Sequence, residues 1–366
     1  MGTVVLLFGV TGLGEVRPGD DLAALLVSAL TDAGQALAAG DVLVISSKVV
    51  SKAEGRVVAA DTREAQITAE TVRLVAARRT PTGLSRIVEG AAGPVMAAAG
   101  VDASNVAPGT VLLLPKDPDA SARQLRSALR ERTGVTVGVI VSDTAGRAWR
   151  DGQVDFALGA AGVRVTDDLR GAVDTHGQSL EVTVRALVDE LAAAADLVKG
   201  KLTGVPAAVI RGLPGLTTAG DGPGAAMLLR PARTDWFRYG HVEAVTASLG
   251  GDPGERPPTV PAGPVEDRFA RVLALALLTP SPGGTRGSAA FAGESRGAQG
   301  TATLVDADGQ PRTADRPEDW LALGALTQRL SAAAWAEDLT LEIEVAEGPP
   351  ALLRIQAADR IDISDR

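Results

Sequence analysis

The chain has 366 residues and a formal net charge of −9, with 45% of its residues hydrophobic and only 3% aromatic. That length suggests two domains, or one domain with an appendage, whose cores are packed by Val, Leu, Ile and Ala. The acidic balance argues against a protein whose main task is gripping nucleic acid, and the absence of cysteine excludes disulfides, thiolate metal sites and thiol catalysis.

Residues Thr3–Val10 read as a buried first strand, without the basic flank or cleavage site of a signal peptide. No stretch approaches ~18 uninterrupted apolar residues, so no membrane span is expected and the cytoplasm is the expected location. A Gly-rich loop, VTGLGEVRPGDD, follows; Asp20 or Asp21 can cap a helix starting at Leu22, whose apolar face is Leu22, Leu25, Leu26, Ala29 and Leu30. DVLVIS predicts a central strand, and Ile67–Arg79 predicts a helix with Ile67, Val72, Leu74 and Val75 inward. Val111–Leu114 reads as a strand and Ala120–Arg132 as a charged amphipathic helix. Val135–Val141 reads as a buried strand ending at Ser142-Asp143, Leu180–Val198 as a long helix and Ala207–Ile210 as a strand. Strands and helices alternate without a clean parallel repeat, so the expected class is α+β (mixed α/β) with mixed sheets.

The composition changes near Gly250. GGDPGERPPTVPAGP predicts a linker. An apolar helix at Phe269–Leu278, a flexible GGTRGSAAFAGESRGAQG segment, a helix around Trp320–Trp335 and a final strand pair then predict a small α+β module. The expected domains are 1–248, a linker over 249–264, and 265–366.

Four segments can carry chemistry. Gly9, Gly12 and Gly14 follow the first strand, but their spacing is wrong for G-x-G-x-x-G, and no GxxxxGK[ST] loop occurs. They form either an ordinary turn or a phosphate-contacting loop outside both frameworks. ISSKVVSKAEGR follows a strand and brings Lys48 and Lys52 to one side, whether helical or extended, where an anion such as a triphosphate would relieve their repulsion; a solvated positive face is the plainer alternative. In VSDTAGRAWRDGQVD, Asp143 and Thr144 can both ligate a divalent cation while Arg147 and Arg150 meet phosphate oxygens; Asp102, beside Ser104 and Asn105, adds a second carboxylate. With only His176 and His241 in the chain, such a metal is hard and oxygen-ligated, magnesium or manganese. In DLVKGKLTGVPAAVIRG a helix ends at Gly200. Lys199 and Lys201 there serve either the helix dipole or a nucleotide.

Together, GLGEVRPGDDL, DVLVISSKVVSKAEGR, AAAGVDASNV, PKDPDASARQLR, VIVSDTAGRAWRDGQ and AAADLVKGKLTGVPAAVIRG resemble the coenzyme F420-0:L-glutamate ligase family, in family order, and especially its actinobacterial branch. The resemblance implies a gamma-glutamyl ligase fold and a homodimer. It implies ligation of L-glutamate to coenzyme F420-0 at the expense of GTP, through an acyl phosphate, with Mg2+ or Mn2+ and a potassium ion assisting. It leaves a different acceptor, or a non-catalytic nucleotide-binding relative, as alternatives. Carried over by position, it implies nucleotide contacts at Leu13, Gly14, Glu15, Val16, Ser47, Lys52 and Asn105, and in the Gly200–Pro206 loop with Lys201 and Thr203. It implies metal ligands at Asp102, Asp143 and Thr144; it assigns no catalytic base. The chain departs from the family pattern at Gly14, Val16 and Lys201. Actinobacterial relatives often continue into a nitroreductase-like domain about twice as long as residues 265–366, so this module reads as a reduced or replaced one that is not expected to hold FMN.

Overall fold

The computed structural model describes residues 4–60, 62–80, 83–231, 234–235, 237, 239–249, 264–277, 290–296, 298–305, 310–311, 313–315, 317–337, 339–346 and 352–359. The chain forms two compact units, Met1–Val72 with Val88–Thr234, and Arg73–Ile87 with Asp235–Arg366.

In chain order the first unit opens with β1 (Leu6–Val10), α1 (Leu22–Asp32), β2 (Val42–Ser46), α2 (Ser47–Ala53), β3 (Val57–Ala59) and α3 (Arg63–Ala69). Strands β4 (Thr71–Thr80) and β5 (Gly83–Gly90) carry residues 73–87, which belong to the second unit. The first unit continues with β6 (Val95–Ala97), β7 (Thr110–Leu112), α4 (Pro118–Thr133), β8 (Gly138–Arg147) and β9 (Arg150–Ala161). It ends with β10 (Thr166–Asp168), β11 (Val184–Ala186), α5 (Leu187–Lys199) and β12 (Ala207–Arg211).

Its main sheet has the order β1-β12-β2-β8-β9, in which only β2 and β8 run parallel. The alternation of strand side chains divides the core in two. Leu43, Ile45, Val139, Val141 and Val209 face one way and pack with Leu26 and Leu30 of α1 and Leu125 and Leu129 of α4. Val42, Val44, Ile140, Ala208 and Ile210 face the other way and pack with Val188, Leu191, Ala192 and Ala195 of α5. Both faces are covered, which is why VLVIS is a continuous apolar run rather than an alternating one. The helix ends follow local chemistry. Asp21 accepts from the Ala24 N–H at 2.9 Å at the start of α1, and Asp117 from the Ala120 N–H at 2.8 Å at the start of α4.

The second unit contains α6 (His241–Ser248), α7 (Val265–Leu277), β13 (Ala290–Arg296), β14 (Gln299–Val305), α8 (Pro317–Ala336), β15 (Leu339–Val345) and β16 (Leu352–Asp359). Its sheet, in the order β13-β14-β16-β15, is antiparallel throughout. Phe269 and Val272 of α7, Leu326 and Leu330 of α8 and Leu353 and Ile355 of β16 share its core. The protein is therefore α+β, with a mixed sheet in the first unit and an antiparallel one in the second.

The structure corrects several boundaries. Ile67–Arg79 is not one helix: α3 ends at Ala69 and β4 follows, with Val72 exposed and Leu74 buried. β1 is an edge strand with Leu6 half exposed, not a buried one. Residues before Leu187 are outside α5, and β8 runs past Asp143 to Arg147. Residues 290–296, read as flexible, form β13. The linker read over 249–264 falls on residues 250–263, outside the described residues.

Candidate functional site

β1, β2 and β8 point the same way, and β12 runs against them, so the carboxyl ends of β1 and β2 and the amino end of β12 lie at one end of the sheet. The pairs Val10↔Ala207 and Ala207↔Ile45 mark that end. Segments far apart in sequence therefore meet where strand ends leave room for a ligand. They line a cavity of about 770 Å³. The loop after β1 contributes Leu13, Gly14, Glu15 and Val16; the end of β2 contributes Ser46 and α2 contributes Lys48 and Lys52; the loop after β6 contributes Ser104 and Asn105. The β8–β9 pair adds Asp143, Thr144 and Asp155, and the α5–β12 connection adds Lys199, Gly200 and Lys201.

Local conformation sets these groups. α2 starts directly at the end of β2, so Lys48 and Lys52, one turn apart, share a face. Asn105 takes a left-handed backbone, φ 57°, which Asn tolerates better than most residues. Gly200 ends α5 at φ 62°, turning the chain so that Lys201 leaves the helix axis while Lys199 stays buried.

The charges are paired unevenly. Lys48 forms an ion pair with Asp102 and donates to Ser104 Oγ at 2.7 Å; the Ser104 N–H donates to Asp102 Oδ1 at 2.7 Å. Burial opposes the Asp102 charge, but the Lys48 ammonium and the Ser104 donors outweigh it and hold that carboxyl below its usual range. Lys52 pairs with Glu15 at 2.6 Å. Lys199 pairs with Asp155 at 2.5 Å, both nearly inaccessible to solvent. Lys201 instead donates to a neutral hydroxyl, Thr144 Oγ1, at 2.9 Å. Asp143 makes no ion pair among the described residues. Burial pushes its pKa up to about 6, with the nearby Asp155 charge adding to the rise and the Thr144 N–H, Lys48 and Lys201 opposing it.

The donor set suits a hard divalent cation: the Asp143 carboxylate makes no ion pair among the described residues, and the Thr144 hydroxyl lies beside it in the chain. Among the described residues no group of three or more His, Cys, Asp or Glu could hold an ion unaided. An ion here would draw further ligands from phosphate oxygens and water.

Of the residues singled out from the sequence, Leu13, Gly14, Glu15, Val16, Lys52, Asn105, Asp143, Thr144, Gly200 and Lys201 line the cavity. Asp102 reaches it through Lys48. Ser47 is 1% exposed and lies within α2; Ser46 lines the cavity in its place. Thr203 donates back to the Lys199 carbonyl and caps the helix end. Sequence reasoning gave no role to Asp155. Its only signal was an acidic residue heading the otherwise apolar run FALGAA, and its partner Lys199 is 44 residues away.

No helix among the described residues is long and apolar enough to cross a membrane. The family model described as F420-0:gamma-glutamyl ligase matches residues 12–212, the stretch that supplies every residue of the cavity. The chain is 42% identical over 254 residues to the coenzyme F420:L-glutamate ligase of Methanothermobacter thermautotrophicus, covering 64% of this chain and 99% of that protein. It is 44% identical over 241 residues to the enzyme of the same name from Methanopyrus kandleri, covering 61% of this chain and 94% of that one. The chain belongs to the F420-0:gamma-glutamyl ligase family and is a ligase.

Proposed function

We propose that this chain joins L-glutamate to coenzyme F420-0 through an amide bond, using GTP to activate the acceptor carboxylate. The observation that carries this reading is the single cavity of about 770 Å³ that gathers four lysines and the Asp143-Thr144 pair at one sheet end. That size suits a nucleotide with part of a second substrate. Lys48, Lys52 and Lys201 neutralise phosphate oxygens, and residues 13–16 line the nucleotide's pocket.

Asp102, Asp143 and Thr144 would hold Mg2+ or Mn2+, and the bound ion would supply positive charge to stabilise the transferring phosphoryl group. The acceptor carboxylate takes the γ-phosphoryl group and GDP leaves. The glutamate amine then attacks the acyl carbon, phosphate departs, and the amine proton is released. The lysines act mainly in the first step, where negative charge is concentrated. By sequence the ligase domain spans residues 1–248 and a separate module residues 265–366, whereas residues 73–87 and 235–248 belong to the second compact unit.

The test is mass spectrometry of coenzyme F420-0 incubated with the protein, GTP, L-glutamate and Mn2+. A product heavier by one or more glutamyl units, absent without GTP, is the expected result. GTP cleavage without a heavier product points to another acceptor. No turnover by folded protein overturns the assignment.

A further inference from the structure

We infer that Asp155 is a positioning residue. Held by Lys199 and Ser142, it accepts the hydrogen bond of the Thr144 hydroxyl and so fixes that oxygen as an acceptor facing the cavity. Thr144 and Asp155 stand directly opposite each other on β8 and β9, where side chains meet across the ladder. Thr144 Oγ1 donates to Asp155 Oδ1 at 2.7 Å. The other carboxylate oxygen, Oδ2, accepts from Ser142 Oγ at 2.8 Å and from Lys199 Nζ at 2.5 Å. Lys199 Nζ also donates to Ser142 Oγ at 2.9 Å.

This arrangement has a chemical consequence. A hydroxyl has one proton and two lone pairs. With the Thr144 O–H directed at Asp155, both lone pairs are left to accept, and Lys201 already uses one. The oxygen that lines the cavity therefore presents itself to a cation and not to another acceptor. Asp155 is buried and holds three protein donors, one of them the Thr144 hydroxyl, so its influence on the cavity runs through Thr144. A buried ion pair seldom adds net stability over apolar packing. The Lys199–Asp155 pair is almost wholly out of solvent, 4% and 3% exposed, and one of its oxygens is spent on a residue of the site. Positioning accounts for that use where stability does not.

The inference rests on the proposal that Thr144 ligates a divalent cation, and the test separates the two. The measured quantity is the affinity for Mn2+, read as free ion by electron paramagnetic resonance, with a non-hydrolysable GTP analogue present. Thr144→Val removes the hydroxyl. The paired variant Asp155→Val with Lys199→Met removes the acceptor and its counter-ion together, leaving net charge unchanged. Each is expected to weaken Mn2+ binding about 10–100-fold. The triple variant is expected to be no weaker than Thr144→Val alone, within about twofold, because both changes act through one hydroxyl. The conservative pair Asp155→Asn with Lys199→Gln keeps an acceptor oxygen, and is expected to bind within about threefold of the unaltered protein. This second pair decides the matter if the apolar pair melts too low to study, since a loss as large as that of Thr144→Val would overturn the inference. Additive losses in the triple variant would overturn the inference alone. An unaltered protein that binds no Mn2+ would overturn the metal proposal and this inference with it.

Discussion

Asp143 carries its charge against its surroundings, since burial lifts its pKa to about 6 while the Thr144 N–H and two lysines only partly compensate. A group in that position serves a charged ligand better than it serves the fold. Asp143→Asn is therefore expected to lower turnover at least about 100-fold. Its melting temperature should be equal to or above that of the unaltered protein, because the amide removes a charge that burial penalises. Retained turnover with normal metal dependence would refute the role given to Asp143. Asp189 shows the same imbalance away from the cavity. It lies in the first turn of α5, where the helix dipole favours negative charge, yet burial outweighs both this and its hydrogen bond from the Ala157 N–H, raising its pKa. In the unfolded chain it titrates near ~3.9. The folded state therefore binds more protons between that value and the raised one, and this contribution to stability is lost as pH rises through the window. In Asp189→Asn the side-chain oxygen can still accept from Ala157. Melting curves should show the variant gaining on the unaltered protein from about pH 4 upward and then running parallel to it; a constant offset would contradict the assigned cause. At this scale the sequence exposes residue types but not partners. Asp143 and Thr144 are adjacent and legible, whereas Asp155 and Lys199 depend on a contact between a strand and a helix end that spacing cannot reveal.

Elements were legible where one rule acted alone. β2 follows from its β-branched apolar run, α1 from Asp21 and its apolar period, and α4 from the amphipathic pattern over Ala120–Arg132; the structure adds its ends, Asp117 and Pro118 at the start and Gly134 at φ 71° after it. They were misread where two rules competed. At Ile67–Arg79 the apolar positions fit a helix as well as a strand, and β-branched Thr71, Val72 and Val75 tip the choice only once a partner strand exists. Likewise β8 continues past Asp143 because β9 pairs with it beyond the end of β2, a tertiary fact. Packing between elements gives a sharper prediction at Gly159 of β9. A Cβ there would lie 2.1 Å from the Pro118 carbonyl oxygen and 2.7 Å from the Asp119 nitrogen, both backbone atoms at the start of α4. Asp119 fastens the same junction, accepting from the Ala160 N–H at 2.8 Å. Gly159→Ala must therefore push α4 off the sheet, at a cost of about 1–3 kcal/mol. The urea midpoint should fall with the slope unchanged. An unchanged midpoint would mean that the junction yields freely.

At the scale of the molecule, the cavity and its chemistry belong to the first unit: all its lining residues lie within Met1–Val72 and Val88–Thr234. Each unit also has a core of its own, with α1, α4, α5 and the five-stranded sheet in one and α7, α8 and the four-stranded sheet in the other. A ligand that binds only folded protein stabilises what it binds, by about 2.7 kcal/mol at a hundredfold excess over Kd. Calorimetry with and without a non-hydrolysable GTP analogue and Mn2+ is therefore expected to resolve two transitions, of which one rises with ligand while the other stays in place. Residues 73–87 complicate this expectation, since they join the second unit from within the chain of the first. Unfolding of the second unit frees that hairpin without interrupting the main sheet, whose strands are β1, β12, β2, β8 and β9. Two transitions therefore remain the physical expectation. A single transition that rises as a whole would mean that the two cores unfold as one cooperative body, and that nucleotide binding stabilises the C-terminal module as strongly as the cavity itself.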